Sequence, residues 1–356
     1  MSIVNRARPE IREMAAYASA RAIAGMAPVT LNANESPWPG PADGTGRLNR
    51  YPDPQPAALV TTLAAHFGVA PEQTLVTRGS DEAIDLLVRA FCEAGQGAVV
   101  QSPPTFGMYA ISARIQGARL INVPLLADQG FALNAPAIWE AARDESVKLV
   151  FLCRPNNPTG SLFEASVVTD LCEALTDHAM VVVDEAYMDF SSEPSLASTL
   201  ADYPNLGVLR TLSKAHALAG ARCGCLLAGA DVVGLLQKII APYPLPTATI
   251  DAALAALSPD SLAATAEQTR LLNQGRDTLA AFLPALPFVQ QQWPSAANFI
   301  LLKVTDGPAL CAWLAERGVL VRNFHSTEGL ENCLRISVGS PPENARLKSL
   351  LESYPS

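Results

Sequence analysis

A chain of 356 residues, 49% of them apolar and with a net charge of −9, has material for a large buried core and about two domains, and it lacks the clustered basic surface that nucleic acid requires. No run approaches the ~18 continuous apolar residues of a membrane span, and MSIVNRARPEIREM has no apolar stretch behind its charges, so a soluble cytoplasmic protein is expected. The seven cysteines are odd in number and mostly set among apolar residues; the one close pair, Cys223 and Cys225, has no histidine at metal-ligand spacing, so neither a disulfide framework nor a metal site is expected.

The first fifty residues read as an arm (1–50), followed by a large domain (51–250) and by a connecting helix with a small C-terminal domain (251–356). Tyr17 and Arg21 fall in a predicted short helix, and LNANESPWPGP, dense in proline and asparagine, leads to Asn49, Arg50 and Tyr51. Pro52, Pro54 and Pro56 exclude continuous helix or central strand. Such an extended segment either lies on its own surface or crosses to a partner subunit, and residue physics leaves both open. An amphipathic helix over 56–67 and a short strand, TLVT, come next, then RGSDEAIDLLVRAFCEAG. Gly79 permits a tight turn, Ser80 or Asp81 can cap, and Ile84, Leu87, Val88 and Phe91 recur at helical spacing. A strand, a glycine turn and a helix N-terminus offer backbone N–H groups to an anion, although G-x-G-x-x-G, the dinucleotide fingerprint, is absent.

Strands over 98–101, 119–123, 148–153 and 180–184 alternate with helices, including PPTFGMYAISARIQG and segments near 135–143 and 165–176. Apolar strands separated by helices call for an α/β fold with a mostly parallel sheet covered on both faces, whose ligands lie beyond the carboxyl ends of the strands. Gly79, Asn157, Asp184 and Lys214 all fall at or just after such ends. In CRPNNPTG, two prolines and a glycine fix an irregular loop in which Asn156 and Asn157 offer amides to a ring substituent. MVVVDEAYMDF ends an apolar strand on Asp184, a carboxylate that is costly there without a partner such as a protonated pyridine nitrogen, or that caps the following turn; Tyr187 is close behind. In LRTLSKAHALAGARCG, Lys214 stands among Thr211, Ser213 and Arg222. A lysine so placed is either a solvated strand-end residue or an amine that forms an imine with an aldehyde cofactor, with the hydroxyls and guanidinium holding a phosphate. Beyond residue 246 the texture changes: a long helix over 259–283 leads to the strands NFILLKV, GVLVRN and CLRISVG with helices over 308–317 and 342–352, an α+β unit.

VDEAY, PNNPTG and TLSKA followed by Arg222 resemble the fold-type I pyridoxal-phosphate aminotransferases. LNANE, NRYPDPQP, RGSDE, PPTFGMY, RTLSKAHALAGARCG, IAPYPL and CLRISVG, in order along nearly the whole chain, are similar to the histidinol-phosphate aminotransferase family among them. The resemblance implies a large domain with its sheet between helices, a smaller α+β C-terminal domain, pyridoxal 5'-phosphate as cofactor, and a homodimer acting on histidinol phosphate and glutamate or 2-oxoglutarate, with no nucleic-acid or membrane partner. Three residues would be catalytic: Lys214 would bond to the cofactor aldehyde and move a proton at the substrate Cα, Asp184 would keep the ring nitrogen protonated, and Tyr187 with Asn157 would hydrogen-bond the ring oxygen. Gly79, Ser80 and Asp81 backbone groups with Thr211, Ser213 and Arg222 would cradle the phosphate, which Tyr51 would reach from the neighbouring subunit. Phe106 would stack on the ring, where many relatives carry tyrosine. Arg335 would grip a carboxylate, and with Arg322 and Tyr17 the phosphate of the other substrate. His216 and His325 are read as incidental. A broader aromatic aminotransferase and a decarboxylase of a phosphorylated amino acid share most of these parts.

Overall fold

The computed structural model describes residues 2–17 and 29–355. The apolar runs form a seven-stranded sheet: β1 (Thr74–Thr77), β2 (Ala98–Gln101), β3 (Arg119–Asn122), β4 (Val147–Cys153), β5 (Met180–Asp184), β6 (Leu206–Thr211) and β7 (Gly224–Ala228), in the order β1-β7-β6-β5-β4-β2-β3. The pairs from β6 through β5, β4 and β2 to β3 are all parallel, and β7 runs antiparallel to both of its neighbours. Side chains alternate between the faces, so Leu149, Phe151, Val182 and Leu209 pack into one helix-covered core while Val150, Leu152, Val183 and Val208 pack into another. This is the mostly parallel α/β sheet that the strand and helix alternation predicts.

Register decides what the sheet presents. Cys153 of β4 pairs with Asp184 of β5, and Asp184 with Leu209 of β6, so β4 and β5 finish level and β6 runs two residues further, to Thr211. The loop 154–160, the DEAY turn and the Lys214 segment therefore leave the sheet side by side. On the other flank Gly224 of β7 pairs with both Thr77 and Thr211, which sets the N-terminus of the helix Ser80–Phe91 beside the end of β6.

The helix Pro259–Phe282 leads to a four-stranded antiparallel sheet of β8 (Val289–Gln292), β9 (Phe299–Val304), β10 (Arg322–Asn323) and β11 (Cys333–Ser337), ordered β10-β11-β9-β8. One face, Ile300, Leu302, Leu334 and Ile336, is buried under the helices Gly307–Glu316 and Pro341–Glu352, which contribute Leu310, Leu314, Leu347 and Leu351. The opposite face carries Phe299, which meets Ala186 and Tyr187 of the large sheet's loops. Of GVLVRN only Arg322–Asn323 pairs as strand, since the chain first turns away from the preceding helix through Gly318 at φ 79°.

The helix expected to carry Tyr17 and Arg21 lies outside the described residues beyond Tyr17, which itself sits in irregular chain. Before it, helical backbone covers Pro9–Glu13, where Pro9 takes the first helical position.

Gly224 joins the two flanks of the future site. A Cβ there would lie 2.7 Å from the Arg210 carbonyl oxygen and 2.9 Å from Gly79 C and Ser80 N, all backbone atoms that cannot swing aside. Gly224→Ala is expected to cost about 1–3 kcal/mol of stability in denaturant melts. An unchanged midpoint would show that the turn at Gly79 and the start of β7 separate freely.

Candidate active site

A cleft at the carboxyl ends of β4, β5 and β6 is lined by Ser80, Asp81 and Phe106, by Asn157, Asp184 and Tyr187, and by Thr211, Ser213, Lys214 and Arg222. The structure thus gathers ten of the residues read from sequence, drawn from segments up to 142 positions apart in the chain (80 to 222).

Asp184 is 2% exposed. Its Oδ2 accepts from the Tyr109 hydroxyl at 2.9 Å and its Oδ1 from the Ala186 amide at 3.0 Å, so it also caps the turn that follows β5. Burial pushes its pKa up to about 6, against the pull of those two donors and of the Lys214 charge, which favour the carboxylate. Tyr109 is fully buried, stacked on Phe151 with centroids 4.9 Å apart and edge-on to Phe106 at 5.7 Å. Burial, with the neighbouring Asp184 charge, holds the tyrosine well above its ordinary pKa, so its proton stays in place to be donated. Sequence reading missed Tyr109. The available signal was an aromatic three residues after Phe106 in the first turn of the helix Met108–Gln116.

Lys214 projects from the segment 212–223 that joins β6 to β7. Its residue is exposed toward the cleft, and its ammonium lies 5.6 Å from the Tyr187 ring centroid. Desolvation within the cleft lowers its pKa, and the Arg335 charge adds to the effect, while Asp184 and Asp81 oppose it. Tyr187 is buried edge-on against Phe299 at 5.1 Å, and that burial raises its pKa.

The far end of the cleft is a set of small donors. Gly79, at φ 77°, turns the chain into the helix Ser80–Phe91, and a Cβ on it would stand 2.7 Å from Arg222 Nη2, so glycine lets the guanidinium come close. Thr211 Oγ1 donates to Ser213 Oγ at 2.9 Å, Arg222 Nη1 donates to the same oxygen at 3.3 Å, and Arg222 Nη2 pairs with Asp81 at 3.0 Å. Hydroxyls, a guanidinium and a helix N-terminus converging on one point make an anion cradle.

Arg335 of β11 closes the cleft from the small sheet, donating to Asn157 Oδ1. Its guanidinium lies 5.1 Å from the Phe299 centroid and 5.6 Å from that of Phe324, and its Nε has no partner. Burial lowers its pKa, and the charge of Arg322 contributes in the same direction. Arg322 is directly opposite Arg335 in the β10–β11 register and is exposed. Tyr51 and Tyr17 do not line this cleft: Tyr51 is half-exposed and stacked on Tyr243 at 4.4 Å, and Tyr17 is exposed.

Residues 24–352 match the family model described as aminotransferase class I and II. The chain is 47% identical over 347 residues to the histidinol-phosphate aminotransferase of Stenotrophomonas maltophilia, covering 97% of this chain and 95% of that one. It is 46% identical over 351 residues to the protein of the same name from Xylella fastidiosa, covering 98% and 96%. In three dimensions it superposes with a TM-score of 0.77 on histidinol-phosphate aminotransferase from Sinorhizobium meliloti in complex with pyridoxal-5'-phosphate, at 26% identity and 97% coverage of both chains.

The raised pKa of Asp184 carries a pH signature in the cofactor-free protein. Its folded value of about 6 lies above the ordinary 3.8, so the folded state holds the proton more tightly and stability falls as pH rises between those values. The full penalty, roughly 3 kcal/mol, then stands above pH ~6. Asp184→Asn is expected to be more stable than the unsubstituted protein at pH 7.5, with the gap closing by pH 3.5. An equal gap at both values would rule out the carboxylate charge as its cause.

Proposed function

The chain belongs to the class I and II aminotransferases, and from that premise we propose that it transfers the amino group between L-histidinol phosphate and 2-oxoglutarate, giving imidazole-acetol phosphate and L-glutamate in histidine biosynthesis. The observation that carries this reading is one cleft with an amine, a buried acid and an anion cradle, beside which Arg335 donates to Asn157 of the lining and is faced by Arg322 across the β10–β11 pair. The donor set fits pyridoxal 5'-phosphate: Asp184 is a buried carboxylate lacking a cation, Lys214 an amine whose pKa is already lowered, and Thr211, Ser213, Arg222 and the turn at Gly79 a cradle for a phosphate. When bound, the cofactor supplies an electron sink for the carbanion that forms at the substrate Cα.

The chain's own residues do the rest. Lys214 Nζ would hold the cofactor aldehyde and would serve as the base that takes the substrate Cα proton and the acid that returns it; its lowered pKa suits it to this work. Asp184 would keep a ring nitrogen protonated, and Tyr109 and the Ala186 amide aim its carboxylate by occupying one lone pair on each oxygen. Asn157 and Tyr187 would donate to the ring oxygen, Ser80 and Asp81 would offer backbone N–H groups to the phosphate, and Phe106 would cover the ring face.

Arg335 binds the carboxylate of glutamate or 2-oxoglutarate; Arg335, Arg322 and Tyr17 together bind the phosphate of the other substrate, so that one site alternates between two anions. The enzyme acts as a homodimer in which Tyr51 completes the partner's phosphate cradle. Its absence from the cleft of its own subunit, and its half-exposed ring, support that placement. Among the described residues no helix is long and apolar enough to cross a membrane.

Incubation with histidinol phosphate and 2-oxoglutarate is expected to yield glutamate and the phosphorylated ketone, with borohydride trapping the cofactor on Lys214. Lys214→Ala should lose both trapping and turnover. Release of carbon dioxide, or trapping that survives the substitution, would overturn the assignment. Arg335→Ala should raise KM for both substrates by an amount equivalent to about 2–3 kcal/mol. Because the guanidinium is flanked by two rings, Arg335→Lys should recover only a small part; small and equal effects in the two variants would put the anion elsewhere.

A further inference from the structure

Directly opposed residues of an antiparallel pair share a face, as do residues two apart on one strand. Arg322 and Arg335 are such an opposed pair, and Phe324, two positions beyond Arg322, continues the ladder by donating its amide to the Cys333 carbonyl at 2.9 Å. All three side chains therefore leave the small sheet on the face turned to the cleft. The Phe324 ring centroid lies 5.9 Å from the Arg322 guanidinium carbon and 5.6 Å from that of Arg335, within cation–π reach of both. Its far side packs on the apolar cluster that contains Trp293, Leu301 and Leu330, which keeps the ring from swinging away.

Two guanidiniums side by side repel, and among the described residues neither forms an ion pair with a carboxylate. The quadrupole of a ring within reach of both offsets part of that repulsion and fixes their separation. We propose that Phe324 is a specificity-determining positioning residue, which holds Arg322 and Arg335 at the spacing that a phosphate monoester requires and that a carboxylate, bound by Arg335 alone, does not. The inference rests on the assignment of both anions to this site. Position 324 thereby tunes the preference for the phosphorylated substrate over the dicarboxylate without touching either reacting centre. Phe299, on the other side of Arg335, has no such selective effect, because it lies near only one of the two cations.

The test uses the cofactor-loaded enzyme and two sets of probes. In the first, inorganic phosphate and glutarate are titrated calorimetrically into the unsubstituted protein, Phe324→Leu and Phe324→Tyr. Phe324→Leu is expected to weaken phosphate roughly tenfold and glutarate by no more than about twofold, with Phe324→Tyr restoring phosphate because it keeps the aromatic face. In the second, the two half-reactions are followed separately, and the same split is expected between KM for histidinol phosphate and KM for glutamate, with kcat little changed. Equal losses for the two anions would show that the ring only props the β10 edge, and no loss for phosphate would show that it has no part in binding; either overturns the proposal. Failure of the unsubstituted enzyme to use histidinol phosphate would overturn the parent assignment instead, and the phosphate and glutarate titrations would still decide the role of Phe324.

Discussion

The carboxylate of Asp184, at the end of a strand flanked on both sides by other strands, is the constraint around which the rest of the cleft is arranged. Moving a charge into such a place is expensive unless a cation or several donors meet it. Two donors are supplied by the fold, the Tyr109 hydroxyl and the Ala186 amide, and they leave the group still short of a counter-charge. A cationic group brought beside it would supply that charge. The same parallel register that buries Asp184 beside Cys153 and Leu209 also delivers the loop 154–160 and the Lys214 segment to its two sides. Burial of the acid and convergence of its neighbours are one geometric fact.

Around the cleft as a whole the imbalance has the opposite sign. Lys214 and Arg222 line a cavity whose own acids are Asp184 and Asp81, and Arg335, bonded to Asn157 of that lining, adds its charge with Arg322 opposite it on β10, in a chain that carries a net charge of −9. Overall charge is screened over roughly a Debye length, so the local excess of cations decides which ligands enter. An anion bound among them would relieve it. The pKa values of Lys214 and Arg335 are lowered mainly by burial, and a neighbouring arginine charge adds to each, Arg335 for the lysine and Arg322 for Arg335.

Much of this was legible in the sequence because the chemistry lies at strand ends, and strand ends are marked locally: an apolar run stopping at Asp184, a glycine turn at Gly79, a lysine between hydroxyls. What escaped was non-local or weakly patterned. Tyr109 meets Asp184 across 75 residues of sequence, and nothing in PPTFGMY says which strand its ring will face. The helices Ala230–Gln237 and Thr247–Ala256 and the strand β8 went unread: the helices are short and apolar around much of their circumference, and the strand, Val-Gln-Gln-Gln, has no alternation to betray it. The short helix Pro9–Glu13 also went unread, because its five residues are too few to show a periodic apolar stripe.

The period of a strand also explains how a site with so many uncompensated charges keeps its shape. Asp184 and Thr211 face the cleft, so their chain neighbours Glu185 and Arg210 point to the opposite side of the sheet. There the Glu185 carboxylate, wholly buried, accepts from Arg210 at 3.1 Å and from the Leu196 amide at 2.8 Å, and also from the Ser195 hydroxyl, while Arg210 reaches Asp189 at 2.6 Å and lies over the Phe67 ring at 4.7 Å. A buried pair of this kind adds little net stability over an apolar substitute, but leaving either partner alone costs about 3–5 kcal/mol. Its effect is therefore on register: sliding β6 against β5 by one position would strand a charge in the core and turn Arg210 into the cleft. Locking β5 to β6 from behind fixes the distance from the acid at the end of one strand to the segment that carries the amine beyond the end of the next, so the reacting groups need no mutual attraction to stay in place.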